Sequence, residues 1–136
     1  MSIRLSMARY ARLAAGMATV QKRAVVRAIS TMQSDAEDLL AFQLRAVGIE
    51  FVRQYQYAPP RKLKADFAFL RPRGLLCEIQ GGVYNRKAHG SITGILADID
   101  RLNAATLAHW ALVRVTPDMV KSGAALRLIE EVLRDS

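Results

Sequence analysis

Two strand-like segments that flank Arg71-Pro72-Arg73 constrain the fold of this chain more than any other feature of its sequence. Residues 64–70 and 74–80 are short and bounded by turn-forming residues, so they predict a β-hairpin centred on the proline. Residues that face each other across such a hairpin have numbers that sum to 144, which places Asp66 opposite Glu78. Directly opposed side chains lie on one face of the sheet, with Cβ atoms roughly 4.5–5.5 Å apart.

The opposite face of the hairpin supports this register. Residues alternate between the two faces of a strand, so every second residue of both segments shares the other face. All six residues on it are apolar and predict a core: Ala65, Phe67, Phe69, Leu75, Cys77 and Ile79. The only cysteine of the chain is Cys77, which excludes an internal disulfide and indicates a small buried apolar residue.

The facing pair of carboxylates is the main candidate for chemistry. Asp66 and Glu78 would repel each other at this distance unless a cation lay between them. A hard divalent ion such as Mg²⁺ prefers oxygen ligands of this kind. The alternative is that both residues are solvated on an open sheet face, which is common in antiparallel sheets.

The sequence around these carboxylates resembles a known family. The stretch Asp66-Phe67-Ala68-Phe69, followed by Leu76-Cys77-Glu78-Ile79-Gln80-Gly81-Gly82, is similar to the metal-binding core of the PD-(D/E)xK nucleases. The resemblance is greatest to small phage or prophage nucleases of the VRR-NUC and Holliday-junction-resolvase kind, and it covers roughly residues 35–120. It implies an α/β fold with a restriction-endonuclease-like αβββαβ core, in which helices flank a mixed central sheet.

The resemblance also implies roles for individual residues. Glu37, Asp66 and Glu78 would hold Mg²⁺ or Mn²⁺, and the backbone carbonyl of Ile79 would be a further ligand. The family's lysine position is occupied by Gln80, which carries no charge and would only orient the attacking water.

Lys64 is our candidate for the missing positive charge. It stands opposite Gln80 in the predicted hairpin, on the face that carries both carboxylates. Its ammonium would then polarise the attacking water or the phosphate. The alternative is a solvated lysine that contacts the DNA backbone.

Polar and basic residues precede and follow the hairpin. Those predicted to contact nucleic acid are Arg61, Lys62, Tyr84, Arg86, Lys87 and His89. The tyrosine among them could stack on a base, whereas the histidine is more often a structural residue. Two isolated histidines and one cysteine predict no zinc site.

The remaining elements are predicted from capping signals and periodicity. Ser34 and Glu37 form a capping box at the start of a helix that ends at Gly48, so Glu37 could also serve only its own helix. A strand follows at 51–57, and after the hairpin we expect a helix at 92–109, a strand at 111–115 and a helix at 122–134. The two long helices are expected to bury apolar stripes that consist of Leu40, Leu44 and Val47, and of Ile92, Ile95, Leu96, Ile99 and Leu102.

Charge is distributed unevenly along the 136 residues. Residues 1–30 hold six basic and no acidic residues, whereas the remainder holds 14 basic and 12 acidic residues. A basic excess indicates a polyanionic partner, although a solvated basic face is the alternative. We expect a basic helical extension over residues 1–33, whose apolar positions could pack on the domain, on a second subunit or on DNA, and a nuclease-like domain over 34–136.

Taken together, the sequence predicts a Mg²⁺- or Mn²⁺-dependent DNA endonuclease. Branched DNA is the substrate that the resemblance implies, and a homodimer is expected because cutting two strands needs two sites. No apolar run is long enough to span a membrane, so a cytoplasmic location is expected. Two alternatives remain open: a DNA-binding module with a degenerate nuclease fold, and a phage or prophage structural or regulatory protein.

Overall fold

The computed structural model describes residues 19–80 and 92–135. The chain forms helix α1, three consecutive strands, helix α2, a fourth strand and two further helices. Their bounds are α1 Thr19–Ala46, β1 Val52–Gln56, β2 Lys64–Phe69, β3 Leu75–Ile79, α2 Ile92–Leu107, β4 Ala111–Val115, α3 Pro117–Ser122 and α4 Ala124–Arg134. Within the described ranges, no helix is both long enough and apolar enough to cross a membrane.

The four strands form one mixed sheet in the order β1-β2-β3-β4. Strand β2 is antiparallel to both β1 and β3, whereas β4 is parallel to β3. A parallel neighbour needs a crossover connection, and α2 lies within that connection. The expected α/β architecture, a mixed sheet flanked by helices, is therefore present.

The hairpin register predicted from the sequence is confirmed for the three residue pairs next to the turn. Phe67 pairs with Cys77 and Phe69 pairs with Leu75, so paired residue numbers sum to 144. The six apolar residues of the predicted core face are all buried, and five of them pack in one cluster, whereas Ala65 packs in another cluster with Ala68 and Leu76. Asp66 and Glu78 are the next residues along the two strands, beyond the Phe67–Cys77 pair.

Helix α1 differs from the prediction at its beginning. The helix is continuous from Thr19 to Ala46, which makes Ser34 an interior residue rather than an N-cap. No glycine or proline interrupts the sequence between these two bounds, so nothing stops the helix before Ser34. The boundary expected between residues 33 and 34 falls within this helix, and residues 1–18 lie outside the described part of the chain.

The end of α1 is a Schellman motif, as Gly48 predicts. Gly48 has a φ of 76°, its N–H donates to Arg45 O, and the N–H of Ile49 donates to Leu44 O. The predicted stripe is correct for Leu40 and Leu44, which are fully buried, but Val47 is 49% exposed. Val47 lies in the turn that follows the last helical residue, Ala46, so it no longer continues the buried stripe of the helix.

The main core lies between the sheet and helices α1, α3 and α4. The sheet and each of the three helices contribute side chains to it, among them Leu40, Leu44, Phe67, Phe69, Val120 and Ile129. A smaller core lies on the other sheet face, where Ala104 and Ala105 of α2 pack with Ala68 and Leu76.

Helix α2 is oriented opposite to the prediction. The apolar stripe expected to be buried is exposed, and the helix instead packs on the sheet through Ala104 and Ala105. Apolar periodicity shows which residues share a helix face, but it does not show whether that face contacts the protein's own core. The small residues allow the helix to lie close to the sheet.

The C-terminal helical region is divided into two helices. Thr116 caps α3 by accepting a hydrogen bond from Met119 N, and Pro117 is the first helical residue, as predicted. The last helix, predicted at 122–134, is present as α4 and begins two residues later than predicted, because Gly123 has a φ of 86° and separates α3 from α4.

Candidate active site

The carboxylates from the predicted motif lie at the ends of β2 and β3 that are distant from the hairpin turn. Asp66 Oδ2 accepts a hydrogen bond from the backbone N–H of Ile79 at 2.8 Å. Asp66 Oδ1 accepts from the Gln54 side-chain amide at 3.4 Å, and Glu37 Oε1 accepts from the same amide nitrogen at 3.1 Å. Gln54 therefore bridges the carboxylate of α1 and the carboxylate of β2.

Gln54 can form this bridge because of an unusual backbone conformation. It lies within β1 but has a φ of 51°, in the left-handed region that L-residues other than glycine rarely adopt. Its neighbours Arg53 and Tyr55 pair normally with β2. Such strain is concentrated at functional sites in proteins, which makes Gln54 a further site candidate.

Glu78 is the only charged residue that is buried in the described part of the chain, with 6% of its surface exposed. Its Oε1 accepts a hydrogen bond from Arg101 Nη2 of α2. Its Oε2 lies 3.5 Å from Arg114 Nε of β4 and also accepts from the Gln80 side-chain amide at 3.5 Å. A buried carboxylate is tolerated when cations and donors compensate it in this way.

Arg101 belongs to the site through two contacts. Besides Glu78, its Nη2 donates to the backbone carbonyl of Lys64 at 2.9 Å. Burial alone would lower the pKa of this guanidinium, but the bond to Glu78 and the charge of that carboxylate raise it. Arg101 therefore remains a fixed positive charge beside Glu78.

The surroundings of Asp66 disfavour its charged form, whereas those of Arg101 favour the charged guanidinium. Burial raises the pKa of its carboxyl group, and the negative charges of Glu37 and Glu78 raise it further. The hydrogen bonds from Ile79 and Gln54 lower it, but they do not compensate fully. Asp66 is thus a carboxylate whose ionised form would be favoured by an additional cation.

The oxygen atoms at this site suit a divalent ion in type. Asp66, Glu78 and the Ile79 carbonyl are donors that Mg²⁺ and Mn²⁺ accept. However, Ile79 O already accepts from Gln33 Nε2 at 2.7 Å, and Glu78 is bound by Arg101. Over residues 19–80 and 92–135, no three His, Cys, Asp or Glu side chains are arranged to hold a metal. A metal here would therefore have to displace Arg101 from Glu78.

The structure brings together five of the residues predicted from the sequence: Glu37, Asp66, Glu78, Ile79 and Gln80. Lys64 is exposed, and its backbone pairs with Gln56 of β1 on one side. Arg61 is exposed and forms an ion pair with Asp100, and Lys62 is exposed. Tyr84, Arg86, Lys87 and His89 lie outside the described residues.

Four polar residues of the site were not identified from the sequence: Arg53, Gln54, Arg101 and Arg114. Arg53 contacts Glu37 and Asp38 at 3.0 Å each. The contact between Arg114 and Glu78 could have been predicted from the sequence. Arg114 is the only charged residue of β4, and it pairs with Glu78 in the parallel register. Arg101 was hidden because the sequence placed the other face of α2 against the sheet.

Comparisons with protein-family models, curated proteins and solved structures find no match to this chain. Its function is therefore argued from the site itself.

Proposed function

We propose that this chain is a metal-dependent endonuclease that hydrolyses phosphodiester bonds of DNA with Mg²⁺ or Mn²⁺. The observation that carries the proposal is the placement of Asp66 and Glu78 at the same end of two adjacent strands, where Gln54 links Asp66 to Glu37 of α1. Burial raises the pKa of Asp66, and the negative charges of Glu37 and Glu78 raise it further, which is the electrostatic pattern of a site that gains from a bound cation.

Asp66, Glu78 and the Ile79 carbonyl would hold the metal, with Glu37 placed behind Gln54. A metal bound there would lower the pKa of a water molecule and stabilise negative charge on the phosphate. The Gln80 amide, which lies 3.5 Å from Glu78 Oε2, would orient that water by hydrogen bonding.

Arg101 is a source of positive charge beside Glu78 that was not identified from the sequence. Once released from Glu78, its guanidinium can bind phosphate oxygens through two parallel hydrogen bonds. Lys64 remains the other candidate for the positive charge. Its side chain is exposed, and its backbone carbonyl accepts a hydrogen bond from Arg101.

DNA as the substrate is supported by the excess of basic residues, which is greatest in residues 1–30. Branched DNA is the substrate class that the resemblance to resolvase-like nucleases implies. The same proposal includes a cytoplasmic location and a homodimer that carries two sites.

A second candidate is a DNA-binding module in which the nuclease fold has lost catalysis. Two observations favour it: Gln80 occupies the lysine position, and Arg101 with Arg114 neutralises Glu78 without a metal. In this alternative, the arginines are permanent structural partners of Glu78.

A cleavage assay distinguishes the two candidates. Supercoiled, linear and four-way-junction DNA would each be incubated with the chain in Mg²⁺, Mn²⁺ or EDTA. We expect metal-dependent cleavage by the wild type and a loss of at least about a hundredfold in Asp66→Ala and Glu78→Ala. Glu130→Gln removes an exposed carboxylate of α4 and is the matched control, which should cleave normally.

DNA binding measured by fluorescence anisotropy completes the assay. We expect both site variants to bind DNA at least as tightly as the wild type, because a negative charge near the phosphate has been removed. A wild type that binds all three DNAs but cleaves none of them in either metal would contradict the nuclease and support the degenerate module.

A further inference from the structure

Helix α2 presents its most apolar face to solvent. Ile92, Ile95, Leu96, Ile99, Leu102 and Leu107 are between 47% and 81% exposed. At 3.6 residues per turn, these six side chains lie within an arc of roughly 140° on one side of the helix. We call this surface the α2 stripe. The opposite side of the helix carries Arg101, Ala104 and Ala105, which contact the sheet and Glu78.

The spacing of the α2 stripe is that of a helix-pairing seam. Ile92, Ile95, Ile99 and Leu102 follow one another at intervals of three, four and three residues, which are the a and d positions of two heptads. Such a seam is complementary to another copy of itself, because each side chain fits between side chains of the facing helix. A twofold axis creates this kind of contact between identical surfaces.

The charges beside the α2 stripe are compatible with a second copy. Asp100 lies at the edge of the stripe, and the guanidinium of Arg61 binds its carboxylate. The hydrogen bond from Arg61, together with its charge, lowers the pKa of Asp100 and compensates the negative charge of that carboxylate. Two copies can therefore approach without placing bare carboxylates of Asp100 against each other.

The size of the α2 stripe also argues for a partner. Monomeric proteins rarely expose a continuous apolar patch larger than a few hundred Å². Six large aliphatic side chains along a helix of 16 residues, or roughly 24 Å, form a patch of at least that size. A contact between two such helices lies at the lower end of specific interfaces, so we expect micromolar rather than nanomolar affinity.

We propose that the α2 stripe is the surface through which two copies of this chain pair about a twofold axis. The inference does not depend on the nuclease activity. It adds to the proposed function, because Arg101 projects from the inner side of the same helix into the candidate site. The two sites of the dimer would then flank one central helix pair.

Sedimentation equilibrium of the full chain over a range of concentrations tests the proposal. We expect the wild type to change from a 15.1 kDa monomer to a dimer of twice that mass in the micromolar range. Ile99→Glu should weaken the dimer by at least about a hundredfold, because each copy would bury an unpaired carboxylate in the interface. Thr93→Glu introduces the same charge at an exposed position of α2 outside the stripe and should dimerise like the wild type.

A second stripe variant, Leu96→Lys, keeps the test decisive if Ile99→Glu does not fold, as judged by circular dichroism. This variant should be monomeric at the concentrations at which the wild type is dimeric. Either of two results overturns the proposal: a wild type that stays monomeric at all concentrations, or folded stripe variants that dimerise with wild-type affinity.

Discussion

Glu78 and Arg101 determine the electrostatics of the site at the scale of single residues. Glu78 is almost fully buried, and the two arginines that compensate it come from α2 and β4. Removing one member of a buried ion pair is costly because the remaining charge loses its compensation. In the proposed function, Arg101 also competes with the metal for Glu78.

Arg101→Gln tests this competition. We expect a melting temperature several degrees below that of the wild type in metal-free buffer, because Glu78 then keeps Arg114 as its only charged partner among the described residues. At the same time, Mn²⁺ should bind more tightly than to the wild type, since no guanidinium has to leave Glu78. Thermal denaturation and calorimetric titration measure the two effects.

Arg61→Gln is the matched control for this variant. It breaks an exposed ion pair with Asp100, and exposed pairs contribute little to stability, so its melting temperature should change by about a degree at most. If Arg101→Gln lowered the stability and also weakened Mn²⁺ binding, Arg101 would support the site rather than compete with the metal.

The raised pKa of Asp66 predicts that the stability of the folded chain depends on pH. Burial, followed by the charges of Glu37 and Glu78, raises its pKa in the folded state. The folded chain therefore binds this proton more tightly than the unfolded chain does. Its contribution to stability is fully present below the unfolded-state pKa and is lost as the pH rises through the higher folded-state pKa.

Asp66→Asn should therefore melt a few degrees above the wild type at pH 7 in metal-free buffer. The difference should shrink as the pH falls toward the unfolded-state pKa of aspartate, about 3.9, because the wild-type carboxyl becomes increasingly protonated. Circular dichroism melts across this range measure it, with the exposed Asp35→Asn as a control that should show no such trend. A variant that is less stable than the wild type at pH 7 would show that the hydrogen bond from Ile79 outweighs the cost of burial.

Helix termini were the most predictable features at the scale of elements. Gly48 and Thr116-Pro117 act through local hydrogen bonds, so the sequence alone indicated both the end of α1 and the start of α3. Ser34 shows the limit of such signals. The same residue type occurs within helices, and the 28-residue length of α1 became evident only from the structure.

Substitutions at Gly48 test the Schellman motif. Gly48→Ala should destabilise the chain by about 1 kcal/mol, because alanine is strained at a φ of 76° while its Cβ meets no atom within 4 Å. Gly48→Asn should be less destabilising, because asparagine tolerates the left-handed region. Urea denaturation compares the two variants. Equal stability of Gly48→Ala and the wild type would contradict the account of this cap.

The orientation of α2 shows why the candidate site was only partly predictable. The hairpin register is correct for the three pairs next to the turn, because it depends on local alternation and turn position, and it placed Asp66 and Glu78 at the same end of adjacent strands. Arg101 was missed because the sequence shows that α2 has an apolar face but not which partner that face contacts. Gln54 was missed because its bridging role depends on a backbone conformation that side-chain patterns do not show.

The distribution of charge matters at the scale of the whole molecule. Residues 1–30 carry six basic residues and no acid, and the rest of the chain is nearly balanced. If this segment contacts DNA, its cations should account for most of the dependence of binding on salt. Each phosphate neutralised on duplex DNA contributes about 0.9 to the slope of log affinity against log salt.

The double variant Arg4→Gln with Arg9→Gln should therefore reduce that slope by up to about 1.8. Arg71→Gln with Arg73→Gln removes the same charge at the hairpin turn, away from the carboxylates, and should leave the slope nearly unchanged. Anisotropy titrations at several salt concentrations provide the slopes. Equal reductions in both double variants would indicate a diffuse charge effect rather than a contact of residues 1–30.

Direct titration with Mn²⁺ tests the central claim, that a divalent ion belongs between Asp66 and Glu78. Calorimetry on the full-length chain without DNA should show one binding site in the wild type and in the control Glu130→Gln. Asp66→Asn and Glu78→Gln should each weaken that site at least about tenfold, because each removes a charged oxygen ligand. No binding by the wild type, or equal binding by all four proteins, would contradict a metal at this position.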